Sequence, residues 1–144
     1  MAVFKRTTDK VVKRLRWVMV GAMLFDKANT ILGQPADYWQ HPAAAEEGNP
    51  FFHFFLSRGL PVFLVFSLVY IVGLFLLVSV VPRKCGLIIM FAFILCHFLG
   101  ASTWLAYRWH LGIAGPIVYG IILSVFIVVS AFPDARNSTT DGHG

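Results

Sequence analysis

Long apolar runs alternate with short polar connections along this chain. The runs at 61–81, 85–107 and 112–132 contain no Asp, Glu, Lys or Arg, and each is close to the ~20 residues that a helix needs to cross the hydrocarbon of a bilayer. A run at 17–33 differs, because polar residues interrupt it at Asp26, Lys27, Asn29 and Thr30. The pattern predicts an all-α integral membrane protein, an antiparallel bundle of four transmembrane helices spanning 17–132.

The connection at 34–60 is the longest between two predicted spans. Pro35 and Pro42 argue against one continuous helix through it. Asn49 followed by Pro50 is typical of a helix N-cap and first helical residue. The short helix that begins there carries four Phe residues, and we expect it to lie at the membrane interface before the second span.

Composition and charge support a membrane protein and argue against a nucleic-acid binder. Hydrophobic residues make up 58% of the chain and charged residues 13%, whereas soluble domains carry about 25% charged residues. The net charge is +5, but half of the twelve Lys and Arg residues lie within the first sixteen positions. A basic cluster beside an apolar span is typical of contact with lipid headgroups; its members are Lys5, Arg6, Lys10, Lys13, Arg14 and Arg16.

The distribution of basic residues predicts the orientation. The N-terminal segment 1–16 and the turn at Arg83 and Lys84 lie on one side, whereas the opposite connections hold only Arg58 and Arg108. By the positive-inside tendency, both termini are cytoplasmic and the acidic connection faces outward, in what we take to be a bacterial cytoplasmic membrane. The polar residues at 133–144 predict a disordered cytoplasmic tail. Within 1–16, Asp9 predicts the cap of a helix that begins near Lys10.

Polar side chains inside the predicted spans form a candidate intramembrane cluster. Counting 1.5 Å per residue puts one such side chain from each helix at a similar depth, namely Asp26, Tyr70, His97 and Tyr119. With the neighbours on the first span, the candidate cluster is Asp26, Lys27, Asn29, Thr30, Tyr70, His97 and Tyr119. Intramembrane ionisable groups are costly and usually functional. Two interpretations remain open, a site that carries charge or protons and a structural hydrogen-bond network.

One face of the third span collects small and polar residues at helical spacing. Its members are His97, Gly100, Ala101, Trp104 and Arg108. Small residues allow two helices to approach closely, so this face predicts a helix–helix contact.

Histidine positions raise the possibility of haem. Axial ligation in a bundle needs two histidines at equal depth, and His53 and His110 lie near the outer interface while His97 has no counterpart at its depth. A metal site built from His41, Glu46 and Glu47 lacks tight ligand spacing. We therefore predict no cofactor and no metal.

Acidic and amide side chains at the end of the connection form a candidate outer cluster, composed of Glu46, Glu47 and Asn49. The order Asp26-x3-Thr30 followed by Glu47-x-Asn49-Pro50 is similar to a family of small bacterial and archaeal multi-helix membrane proteins of unknown function. The connection is longer here, with PADYWQHPAA as an apparent insertion. The resemblance implies no activity, but it implies that Asp26, Thr30, Glu47 and Asn49 act as one polar unit.

The sequence contains no GxSxG, HExxH or Walker motif, so we do not predict an enzyme. Small size and Phe-rich helix faces favour a structural or accessory subunit of a larger membrane complex, with lipids and other membrane subunits as partners. The alternative is a small transporter or proton-conducting protein that uses Asp26.

Overall fold

The computed structural model describes residues 2–131, with side chains from Lys10 onward, and that part of the chain is helical with no strand. The predicted tail at 133–144 lies outside the described residues. Two 3₁₀ turns lie between the first two helices, at Ala36–Trp39 and Pro42–Ala44, and a π-helical turn, Trp104–Arg108, continues the fourth helix. The α-helices are α1 Ala2–Leu32, α2 Pro50–Leu56, α3 Leu60–Val80, α4 Arg83–Thr103 and α5 Ala114–Ala131.

Three of these helices are long and apolar enough to cross a membrane. They are α3, α4 with its π-helical turn, and α5, which agree with the predicted spans at 61–81, 85–107 and 112–132. The predicted span at 17–33 corresponds to the second half of α1 together with Gly33, and Asp26 and Lys27 interrupt its apolar stretch. The count of four spans therefore stays a prediction.

Helix α1 begins earlier than the sequence pattern predicts. The prediction of a helix that begins near Lys10 is wrong, because α1 is continuous from Ala2. No Gly or Pro precedes Gly21, and the segment is rich in Lys and Arg, which have high helix propensity. Asp9 is therefore inside a helix rather than at its cap.

Helix α1 packs against each of the three apolar helices, most extensively against α4. Fully buried methionines and an isoleucine fill part of this contact, with Met19 and Met23 on α1 and Met90 and Ile94 on α4. Because α1 and α4 run toward the same end of the molecule, their C-terminal halves also lie side by side. There a Cβ atom at Gly33, the residue directly after α1, would clash with the indole of Trp104.

A second core lies where the connection folds over α2 and α3. Tyr38 is buried against this core, and burial raises the pKa of its hydroxyl, which donates a hydrogen bond to the carbonyl oxygen of Leu56 at 3.4 Å. The rings of Phe55 and Phe66 stack with centroids 3.8 Å apart, joining α2 to α3. The connection is therefore an ordered part of the fold, and it borders the site described next.

Candidate functional site

Asp26 is buried and contacts two other ionisable residues of the candidate cluster. Its side chain is buried, with 6% of the residue exposed. The carboxylate oxygen Oδ2 lies 2.8 Å from His97 Nδ1 on α4 and 3.2 Å from Lys27 Nζ. A buried carboxylate is stable only when paired and hydrogen-bonded, and both partners come from the predicted set.

Gly100 allows this carboxylate to reach α4. A Cβ atom at position 100 would lie 2.7 Å from Asp26 Oδ1, closer than real Cβ atoms approach other heavy atoms. Gly100 follows His97 by three residues, so both lie on the same face of α4. The small residue predicted to permit helix packing therefore also makes room for the buried carboxylate.

The Lys27 ammonium is held from three directions. Besides its contact with Asp26, Nζ lies 3.4 Å from the ring centroid of Phe52 on α2 and 5.9 Å from that of Phe63 on α3. Aromatic faces attract cations within about 6 Å, most strongly where water is excluded. Lys27 therefore links α2 to the site around Asp26.

The outer cluster is connected to α1 through Thr30, one helical turn beyond Asp26. The Thr30 hydroxyl donates a long hydrogen bond of 3.4 Å to Glu47 Oε2, and the backbone N–H of Asn49 donates to Glu47 Oε1 at 2.9 Å. Asn49 Oδ1 in turn accepts from the backbone N–H of Phe51 at 3.0 Å and caps α2. The chain of contacts runs from α1 to the start of α2.

Gln34 has a positioning role that sequence reasoning missed. Its amide Nε2 donates to the carbonyl oxygens of Thr30 and Glu46, both at 2.8 Å, and its Oε1 accepts from the Glu46 backbone N–H at 2.8 Å. This two-way pairing ties both ends of the connection together. Nothing in the local sequence around Gln34 distinguishes it from an ordinary polar residue after a helix.

Residues of both candidate clusters line one cavity of about 1020 Å³. The cavity extends from Asp26, Lys27 and His97 to Glu46, Glu47 and Asn49, and Tyr70 also lines it. The remaining lining residues are Gly48, Pro50, Phe52, Phe93, Cys96, Leu99, Gly100, Thr103, Trp104, Tyr107 and Arg108.

Thr30, Asn29 and Tyr119 do not line this cavity. Thr30 is 1% exposed and donates its hydrogen bond to Glu47 from outside the cavity lining. Asn29 Nδ2 donates to the Phe25 carbonyl oxygen at 2.8 Å, and its Oδ1 accepts from Trp109 Nε1 at 3.1 Å. Tyr119 packs its ring on Phe25 and Phe98, and among the described residues its hydroxyl has no hydrogen-bond partner.

His97 keeps one ring nitrogen uncommitted. The residue is 4% exposed, and its Nε2 has no hydrogen-bond partner in the part of the chain that the structure describes. Its ring lies 6.2 Å from that of Tyr70 and 6.3 Å from that of Phe93. Because Nδ1 faces Asp26, His97 and Asp26 can share one proton while Nε2 accepts or donates another.

A π-helical turn shapes the rim of the cavity. The Trp109 backbone N–H donates to the Trp104 carbonyl oxygen, an i to i+5 bond of 3.1 Å, and such wide turns occur frequently at functional sites. Beyond Trp104 the regular helical spacing no longer holds, yet Arg108 still lines the cavity. Its guanidinium lies 3.8 Å from Glu46 Oε2.

Among residues 10–131, the other three histidines do not line the cavity. His41 precedes a 3₁₀ turn, His53 is half-buried on α2, and His110 follows the π-helical turn with φ of 54°. In the same range, no three His, Cys, Asp or Glu side chains come together as a metal site would require.

The basic residues at the start of α1 are outside the site. Lys10, Lys13 and Arg14 are exposed, while the side chains of Lys5 and Arg6 lie outside the described residues. Arg16 differs, because its Nη1 donates to Ser79 Oγ at 2.7 Å near the end of α3.

Comparison with known proteins adds no relative. The chain matches no protein-family model, no curated protein and no solved structure.

Proposed function

We propose that this protein is a four-span membrane transporter, with α1 as the fourth spanning helix of an antiparallel bundle and α2 at the interface. Contacts along α1 support its depth: Arg16 bonds Ser79 at one end of α3, and Gly33 meets Trp104 at the end of α4. Arg16 and Gly33, the residue directly after α1, are seventeen positions apart, a helical rise of about 25 Å, close to the ~30 Å of hydrocarbon.

One observation carries the transport proposal, namely the buried Asp26 carboxylate shared by His97 and Lys27 in the wall of a cavity. Ionisable groups at such depth are expensive and usually belong to substrate or proton pathways. Asp26 and His97 supply a proton acceptor and a proton donor in direct contact. We take this pair to be the proton-linked site of the transporter.

The packing below the cavity favours a carrier over an open channel. Met19, Met23, Met90 and Ile94 are almost completely buried against one another. Close-packed apolar side chains leave no continuous path for water or ions, which an open channel requires. The cavity therefore corresponds to a state open toward the connection at 34–60, which the basic-residue count assigns to the outer side.

Charge movement after a pH jump tests the proton-linked site without knowledge of the solute. Purified protein in vesicles is adsorbed on a solid-supported membrane. The external solution is then switched from about pH 8 to about pH 6, on either side of the ordinary pKa of histidine. We expect a transient current in the native protein. The double variant Asp26→Asn with Lys27→Met, which removes both buried charges together, should give only the current of protein-free vesicles.

Asp37→Asn is the matched control, since Asp37 is an exposed acidic residue that does not line the cavity. Circular dichroism and elution as a single species establish that each variant is folded. An unchanged transient in the double variant removes Asp26 from the mechanism, and a sustained current under a steady pH gradient contradicts the carrier in favour of a channel.

A groove between α1 and α5 favours a second candidate function, that of an accessory subunit in a membrane complex. The groove measures about 500 Å³ and is lined mainly by apolar side chains of both helices. A Cβ atom at Gly21 would meet nothing within 4 Å, so a partner's transmembrane helix has room to approach there.

Mild detergent extraction tests this second candidate. A complex should elute well above the 16.1 kDa of the chain, and Gly21→Leu should shift it toward the monomer by filling the groove. Gly73→Leu on α3, where a Cβ also meets nothing within 4 Å, is the control. Elution of the native protein as a functional monomer excludes the accessory role.

A further inference from the structure

The cavity has a lateral opening along one edge of α4. Cys96, Leu99 and Thr103 recur at helical spacing, line the cavity and are also exposed, Leu99 to 56%. Below this edge the rings of Tyr70 and Phe93 pack with centroids 6.1 Å apart and form the floor. At the depth proposed for α4, an opening at this edge faces lipid rather than water.

The carboxylates lining the cavity are not all in ion pairs. Asp26 is paired with Lys27 and His97, and Glu46 lies beside Arg108. Glu47 accepts hydrogen bonds only from the neutral Thr30 hydroxyl and Asn49 N–H, with no cationic partner among residues 10–131. Within the described side chains, the cavity therefore offers one carboxylate that has no ion-pair partner.

Aromatic side chains complete the environment of this carboxylate. Phe52, Tyr70, Phe93, Trp104 and Tyr107 all line the cavity. The Lys27 ammonium already lies over the Phe52 ring, which illustrates how these walls hold a cationic nitrogen. Aromatic faces together with a carboxylate recognise organic ammonium groups.

The geometry points to an organic ammonium with an apolar tail as the ligand of this cavity. The ammonium lies against Glu47 and the aromatic walls, and the tail leaves through the edge at Cys96 and Leu99. This assignment names the substrate class of the proposed transporter and therefore rests on that proposed function.

The native Cys96 thiol provides a reporter at the lateral edge. Cys85 is also exposed, so the test uses the Cys85→Ser variant in phosphatidylglycerol vesicles and follows the modification of Cys96 by N-ethylmaleimide with mass spectrometry. Decyltrimethylammonium at about four times its Kd should slow the modification about fivefold, by mass action. Decanoate, with a comparable chain and the opposite charge, and tetramethylammonium, with no chain, should protect much less.

Glu47→Gln isolates the carboxylate. The Gln carbonyl oxygen can still accept from Thr30 or Asn49, while the charge is lost, so we expect protection by decyltrimethylammonium to disappear. Asp37→Asn should retain it, because Asp37 is exposed and does not line the cavity. Equal protection in Glu47→Gln, equal protection by decanoate, or no protection by any of the three compounds overturns the assignment.

Vesicle composition distinguishes a lipid headgroup from a free amine. If phosphatidylcholine supplies the ammonium, Cys96 should react more slowly in phosphatidylcholine than in phosphatidylglycerol vesicles before any ligand is added. Equal starting rates with protection by the free cation assign the cavity to soluble amines. Loss of protection with intact pH-jump currents refutes only the ligand class, whereas protection without those currents refutes only the proton linkage.

Discussion

The interface between α1 and α4 is built in opposite ways at its two ends. At the closed end, Met19, Met23, Met90 and Ile94 bury apolar surface with no hydrogen bond among their side chains. At the cavity end, the same two helices meet through Asp26, His97 and the vacant side-chain position of Gly100.

The two ends differ in how strongly their packing depends on particular residues. Flexible methionine side chains adapt to small changes in their neighbours, so the closed end depends on volume rather than on particular partners. At the cavity end each buried polar group depends on one named partner, and removal of that partner leaves a charge unpaired. Substitutions at the two ends should therefore differ in size and in functional effect.

Removing the Asp26 charge alone should have the largest effect. Asp26→Asn leaves the buried Lys27 ammonium without its carboxylate, and breaking a buried ion pair from one side costs about 3–5 kcal/mol. Adding Lys27→Met should restore most of the free energy of unfolding, measured by chemical denaturation in micelles. A double variant no more stable than Asp26→Asn would show that the pair is not the source of the cost.

Adding a side chain at Gly100 of α4 should cause the next largest loss of stability. Gly100→Ala puts a Cβ within 2.7 Å of Asp26 Oδ1, and such overpacking costs about 1–3 kcal/mol. The pH-jump charge movement should fall with it. Gly73→Ala meets nothing within 4 Å and should gain roughly 0.5–1 kcal/mol from helix propensity; similar losses in both variants would contradict a specific role of Gly100.

Truncating the closed end should reduce stability without altering proton binding. Met90→Ala should cost about 1–2 kcal/mol, less than in a soluble core, because lipid rather than water surrounds the separated helices. The transient current after a pH jump should be retained. Loss of that current in a folded Met90→Ala protein would mean that the two ends are not independent.

The rim of the cavity should be least sensitive. The Glu46 and Arg108 side chains are 60% and 39% exposed and lie 3.8 Å apart, so Glu46→Gln should change stability by about 0–1 kcal/mol. High salt should abolish even this difference, as measured by unfolding with and without added salt. A larger, salt-independent loss would assign the rim to the buried network.

Local signals and helix periodicity predicted much of the fold. The apolar runs located α3, α4 and α5, and Asn49-Pro50 located the start of α2 because an N-cap is a property of adjacent residues. Counting residues along two helices put Asp26 and His97 at one depth, which only requires a constant rise per residue.

Contacts that depend on the path of the connection were beyond the sequence. The contact of Lys27 with Phe52 and the pairing of Gln34 with Glu46 both require that residues 34–49 fold back over α1. Loop closure in this segment follows from tertiary packing around Tyr38 and Leu56, for which neither periodicity nor motif supplies a signal. The start of α1 was not predicted, because the preference of Asp for a cap position is weaker than the tendency of a segment without Gly or Pro to continue as a helix.

The reciprocal hydrogen bonds between Gln34 and Glu46 close residues 35–45 into a loop, and within it buried Tyr38 is anchored to the core formed with α2 and α3. Ala43 and Ala44 are exposed. Residues added between them would lengthen the loop on its exposed side and need not alter the distance from Thr30 to Glu47. Ala43 and Ala44 are therefore suitable positions for an inserted epitope that reports which side of the membrane the loop occupies.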